Sequence, residues 1–240
     1  ARREMRSQER AVTAQDFELL VPRSSREIYR VRCVTPGEGP SAPPPGTVQL
    51  LVVPAALKAV RQGDLSKLAV TPLLTRQIIN YLDNYRMIGT SVRVSEPNYI
   101  GIQIGAEIVV SPFSDPDEVK ARIIEQLNAF LTPLPILNET TTPTPFLGEN
   151  WQGWPFGRDL LAVEIDTLIR QINGVMHVWE ITLSHRKVIP DQEEAIREEG
   201  DSHPGAALTV IEDRRLEVPA DTLLCSLQHH ITVVEEEASP

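Results

Sequence analysis

The residue types that could do chemistry in this chain are spaced unfavourably for it. His229 and His230 are adjacent, and neighbouring side chains on a strand point to opposite faces, so the pair does not suit one metal ion. Ser184-His185-Arg186-Lys187 matches the letters S-x-x-K, but that acyl-transfer chemistry needs a helix start presenting Ser and Lys together, and this segment leaves a strand pattern. Glu164 and Asp166 lie two positions apart on a helical pattern, facing different directions, and read as solvated carboxylates rather than an acid–base pair. Cys33 and Cys225 form no CxxC or zinc spacing; they read as reduced, buried thiols, with a disulfide between them left open. No GxGxxG, GxxxxGK[ST] or GxSxG occurs, and Gly37-Glu38-Gly39 sits in a proline-rich loop with no helix behind it to hold a phosphate. The expectation is a protein that is not an enzyme and uses no cofactor or metal.

A cluster of another kind stands out. Trp151, Trp154 and Phe156 fall within six residues, followed by Arg158. Large aromatics on a loop must pack back on their own domain or meet a partner, and Trp and Arg are enriched at binding hot spots. These four residues are therefore the interface candidates, with internal packing expected for Trp154 and a contact to a neighbouring subunit for Arg158.

The element that positions them runs from Gly153 to Leu183. Pro155 fixes its own φ and biases Trp154 toward an extended conformation, making Trp154–Gly157 a rigid turn. Asp159 stands where a helix could start. Leu161, Ile165, Leu168 and Ile172 share one helical face, Asn173-Gly174 supplies the stop, and Val175–Leu183 reads as a strand.

Upstream, Thr13 with Asp16 three residues on reads as a capping-box variant opening a helix through Leu20, which Pro22 ends. Tyr29, Val31 and Cys33 alternate with solvated Arg30 and Arg32, the period of a half-buried strand, and Val48–Val53 is an unbroken apolar run of the kind a central strand uses. Leu74, Ile78, Tyr81 and Tyr85 predict a helix after Pro72; Tyr99–Val110 alternates as a strand with one core face; Val119, Ile123, Leu127 and Phe130 predict a helix opened by Asp115. Thr132–Gly153 is a long proline- and threonine-rich loop, expected to be partner-dependent. Asp191–Asp201 reads as a mobile acidic stretch, and Leu216–Val234 as short strands.

These elements predict an α/β (α+β) fold: a mixed-sheet α/β sandwich with a small β-rich C-terminal extension. The boundaries are an opening segment with a short helix over 1–27, a core domain over 28–185 and an extension with an acidic tail over 186–240. At 240 residues and 41% hydrophobic content the chain can bury a real core. A net charge of −10 works against tracking phosphates, so nucleic acid is not an expected partner. No run approaches the ~18 apolar residues that cross a bilayer, so membrane insertion is not expected either. The chain opens Ala1-Arg2-Arg3 without Met and is expected to be the C-terminal part of a longer protein.

Gly153-Trp154-Pro155-Phe156-Gly157-Arg158, the helix after it and the Gly174-Val175 turn resemble the baseplate J family, wedge proteins of contractile phage tails and phage-tail-like contractile injection systems. Ala11-Val12-Thr13-Ala14-Gln15-Asp16-Phe17 is similar to that family's opening helix, and Pro133-Leu134 to its central segment. The resemblance covers roughly Arg10 to Leu183. It implies a structural subunit, made and assembled in the bacterial cytoplasm, that joins copies of itself and other wedge subunits. Indirectly it would act on sheath, inner tube and spike, coupling baseplate rearrangement to sheath contraction. A carbohydrate-binding or adhesin module is the alternative, which an exposed aromatic strip would favour; a hydrolase using unpatterned carboxylates would need a concave pocket with a raised-pKa acid.

Overall fold

A computed structural model describes residues 10–37, 42–135, 151–200 and 203–234. The start of the opening segment, part of the proline-rich loop that holds Gly37-Glu38-Gly39, most of the Thr132–Gly153 loop and the acidic tail lie outside them.

The capping box forms at helix α1 (Ala14–Ser24): the Thr13 hydroxyl accepts the Asp16 N–H while Asp16 accepts the Thr13 N–H. Pro22 does not end this helix, which continues to Ser24; the missing N–H and the clash with the Glu18 carbonyl fall in the last turn, where they disrupt least. Strands β1 (Ile28–Val34) and β2 (Thr47–Pro54) pair antiparallel. A short helix α2 (Leu57–Arg61) and a 3-10 turn (Leu65–Leu68) lead into α3 (Pro72–Leu82) and strand β3 (Ser91–Ser95), which adds parallel to β2. β2 is therefore central. Its Leu50 and Val52 enter the core with α1 and α3, while Val53 enters a second core with Tyr99, Leu223 and Cys225; burial on both faces is why the run is unbroken. α3 ends before Tyr85, whose ring lies 5.0 Å from that of Tyr81.

The larger sheet is built on β4 (Asn98–Val110). Ile102, Ile104, Ala106 and Ile108 face α4 (Pro116–Phe130), whose predicted stripe of Val119, Ile123, Leu127 and Phe130 is buried. The helix predicted from Asp159 begins later. Leu160–Leu161 is a short strand, β5, before α5 (Ala162–Arg170), so Leu160 points inward and Leu161 outward. Ile165, Leu168 and Ile172 keep the buried stripe, with Ile169 beside them. Asp159 accepts instead from Arg215 and the Val218 N–H, and Glu164 caps the helix by accepting the Leu161 N–H.

Strand β6 (Val175–Val188) pairs antiparallel with β4 and passes through the 185/186 boundary expected from sequence. Val178 and Leu183 both face the core although they stand five positions apart, an odd offset that simple alternation would place on opposite faces. A bulge reconciles this: Glu107 pairs Glu180 and Ile108 pairs Val178, leaving Trp179 over. The stretch read as mobile and acidic is helix α6 (Pro190–Glu199), with Pro190 in its first turn, Asp191 and Glu193 at its positive end and Arg197 in its last turn. Glu193 is buried because Arg186 on β6 binds it with both terminal nitrogens, at 2.5 and 2.7 Å. Two-residue strands follow: β7 (Thr209–Val210) pairs β6, and β8 (Arg215–Leu216) pairs β5. β9 (Thr222–Ser226) and β10 (His230–Val233) both run parallel to β4, end to end along its second edge. The region read as an extension thus completes the main sheet of an α+β fold.

Candidate functional site

The aromatic turn is a wedge between the end of α4 and the approach to β9. Gly153 adopts φ +86°, and a Cβ there would stand 2.8 Å from the Leu134 nitrogen, so only glycine lets the Trp154 N–H reach the Thr132 carbonyl at 2.6 Å. Gly157, at φ +65°, passes equally close to the Cα of Ala220. Between them Trp154 is fully buried, edge-on to Phe130 at 5.1 Å, while Trp151 stacks on Phe130 at 5.7 Å. Both indole N–H groups are satisfied: Trp151 donates to the Ala129 carbonyl at 3.1 Å and Trp154 to that of Arg158 at 2.9 Å.

Arg158 turns back over this cluster, its guanidinium 4.6 Å from the Trp154 ring, and is ion-paired with Glu164. The residue expected to meet a neighbouring subunit has its partners inside the chain, and Glu164, read as solvated, is one of them. Phe156 lies beneath Arg30 and Arg32, at 5.2 and 5.6 Å. Arg30 is not the solvated residue expected. It donates to the carbonyls of Trp154 at 2.8 Å and Pro133 at 3.1 Å, and burial pulls its pKa below the usual arginine value. All four interface candidates therefore pack against their own chain.

One exposed aromatic that sequence reading passed over is Trp179. It is 61% exposed at the β6 bulge, edge-on to His177 at 4.8 Å, and lines a shallow cleft with Leu161 on β5 and Val163 on α5. The alternation of β6 hid it, because only the bulge turns it outward.

A second polar cluster was also missed. His229 and His230 do face opposite ways, and the buried ring of His229 fills the gap between β9 and β10: its Nδ1 accepts the Ile104 N–H at 3.1 Å. The other nitrogen must then carry the proton and donate to Ser226 Oγ at 2.8 Å, and the serine proton passes on to Asn128 Oδ1. A general base would accept the serine proton, the reverse of this arrangement. Burial, with His230 next to it, lowers the His229 pKa to about 4, keeping the ring neutral. Cys33 and Cys225 are buried thiols that are not joined in a disulfide, and desolvation raises the Cys225 thiol further from ionisation. Among the described residues no group of three His, Cys, Asp or Glu side chains gathers to hold a metal, and no helix is long and apolar enough to cross a membrane.

No protein-family model matches the chain, and no curated protein matches it. Among solved structures it is similar to a chain of the cryo-EM structure of the anti-feeding prophage (AFP) baseplate, 6-fold symmetrised, with a TM-score of 0.54 and 18% identity. The match covers 97% of this chain and 40% of that one, so the chain spans about two fifths of the length of its structural neighbour. At that identity the likeness establishes a shared fold.

Proposed function

We propose that the chain is a structural component of the baseplate of a contractile tail-like particle, and within it a wedge subunit. The observation that carries this reading is the shared fold with a baseplate chain over 97% of the present one; the GWPFGR turn and the helix and strand after it support it independently. In this reading the protein works by assembly and switching rather than turnover. The aromatic turn is the internal wedge that fixes how α4, α5 and the first sheet meet, and the outward apolar surface at Trp179 and Val163 supplies contact area for other subunits. Its partners are copies of itself and other wedge proteins, with sheath, tube and spike reached through them. Electron microscopy of the native assembly tests this: six-fold baseplate density containing the chain is expected, and intact baseplates formed without it would overturn the reading.

A further inference from the structure

Between the loop after α2, the side of α4, the β9–β10 junction and α6 lies a cleft of about 610 Å³. Its floor is the relay described above, and the direction of that relay has a consequence for what the cleft can bind. The Ile104 N–H makes His229 Nδ1 an acceptor, so Nε2–H donates to Ser226, Ser226 donates to Asn128 Oδ1, and the Asn128 amide is left with its NH₂ as a donor. With the serine proton on the short contact to Asn128 rather than on the Leu227 carbonyl at 3.3 Å, the floor presents the Asn128 amide as a hydrogen-bond donor.

The walls have the same polarity. Arg61 and Arg197 line the cleft from opposite elements, are exposed, and have no carboxylate partner among the described residues. The two acidic residues of the wall are already engaged: Glu193 by Arg186, and Asp64 by the N–H and hydroxyl of Ser66. A chain with a net charge of −10 here gathers two unpaired guanidinium groups over a donor floor, an arrangement that attracts acceptors and repels cations.

We propose that this cleft is a binding site for an oxyanion carried on a small organic molecule, of the carboxylate or phosphate class, held by Arg61 and Arg197 above Asn128. The volume falls in the range of small-molecule sites and exceeds what one carboxylate fills. The site is distinct from the aromatic turn and does not depend on the assembly reading.

Thermal unfolding of the full chain at fixed ionic strength tests it, with citrate and inorganic phosphate as probes and chloride as control. Citrate at about 10 mM should raise the midpoint by about 2–4 °C, phosphate by less. Both shifts should vanish in the Arg61→Gln/Arg197→Gln variant, which keeps its fold because both side chains are exposed. A tetra-glutamate peptide distinguishes the source: a shift with the peptide alone, lost in the same variant, assigns the oxyanion to a protein side chain and overturns the small-molecule proposal. Absence of any shift overturns it too, as does an equal shift in the variant, which would mark a general ion effect.

Discussion

The guanidinium of Arg30 donates to the main-chain carbonyl of Trp154 at 2.8 Å, joining the first sheet to the aromatic turn across 124 positions of sequence. The same nitrogen reaches the Pro133 carbonyl, so one cation satisfies two carbonyls of the segments that Gly153 brings together. Arg30→Met keeps an apolar stem but removes the guanidinium from over the Phe156 ring and leaves both carbonyls without their donor. It should lower the unfolding free energy by about 2–4 kcal/mol, read from urea denaturation. An unchanged midpoint would mean that water replaces the guanidinium without cost.

Trp154 and Trp179 make opposite forecasts. Trp154→Ala empties a fully buried site packed on Phe130 and should cost about 3–5 kcal/mol in the isolated chain, with any assembly defect following from lost stability. Trp179→Ala, at an exposed bulge, should leave the isolated chain within about 0.5 kcal/mol of wild type while weakening assembly. Sedimentation of reconstituted baseplates separates the two, and full assembly by the Trp179 variant would remove that surface from the interface.

How much of this was legible follows from range. Local signals served well: the Thr13/Asp16 capping box, the two-sided burial of β2, the stripe of α4 and the alternation of β4 each depend on neighbours in sequence. What could not be read depends on partners far away. Arg30 and Glu193 look solvated until Trp154 and Arg186 are placed beside them, over a hundred positions away in the first case and across a strand–helix turn in the second. Leu160–Leu161 reads as helix because its pairing with Arg215–Leu216 is invisible locally. Trp179 faces outward through a register shift, which depends on the pairing of two strands rather than the pattern of one. The GWPFGR turn was found as an aromatic cluster on a loop, but its inward direction depends on Gly153 and Gly157 lying against backbone that only the fold supplies.

Arg158 and Glu164 form a pair that is part exposed, with side chains 36% and 18% accessible. Screening limits such a pair, so coupling in a double-mutant cycle of Arg158→Ala and Glu164→Ala should be about 0.5–1 kcal/mol. Loss of the contact with the Trp154 ring adds about 0.5–1 kcal/mol to the arginine variant alone. If Arg158→Ala keeps its melting temperature and still fails to assemble, the guanidinium serves a neighbour rather than the turn.

His229 makes stability depend on pH with a defined sign. Its ordinary pKa is 6.5, that of the unfolded chain, and burial lowers it to about 4 in the fold. Between those values the unfolded chain binds a proton that the folded chain refuses, so unfolding is favoured as pH falls. The contribution is fully present above pH 6.5 and is lost progressively down to about pH 4. The slope is about 1.4 kcal/mol per pH unit, on the order of 3 kcal/mol in all. Below pH 4 the folded state is protonated too. Nδ1 can then no longer accept the Ile104 N–H, and the junction between β9 and β10 loses its side-chain link to β4, keeping the Leu227 N–H on the Ile102 carbonyl. Chemical denaturation between pH 4 and pH 7 should show this slope in the wild-type chain. In His229→Gln it should be flatter by about one proton, because glutamine can offer an acceptor without titrating. Hydrogen-exchange protection at Ile104 and along β10, taken relative to the intrinsic rate at each pH, should fall at the acid end before protection in α4 does. An identical slope in wild type and His229→Gln would place the pH dependence on other groups, and undiminished protection at Ile104 in acid would show that the junction holds without the imidazole.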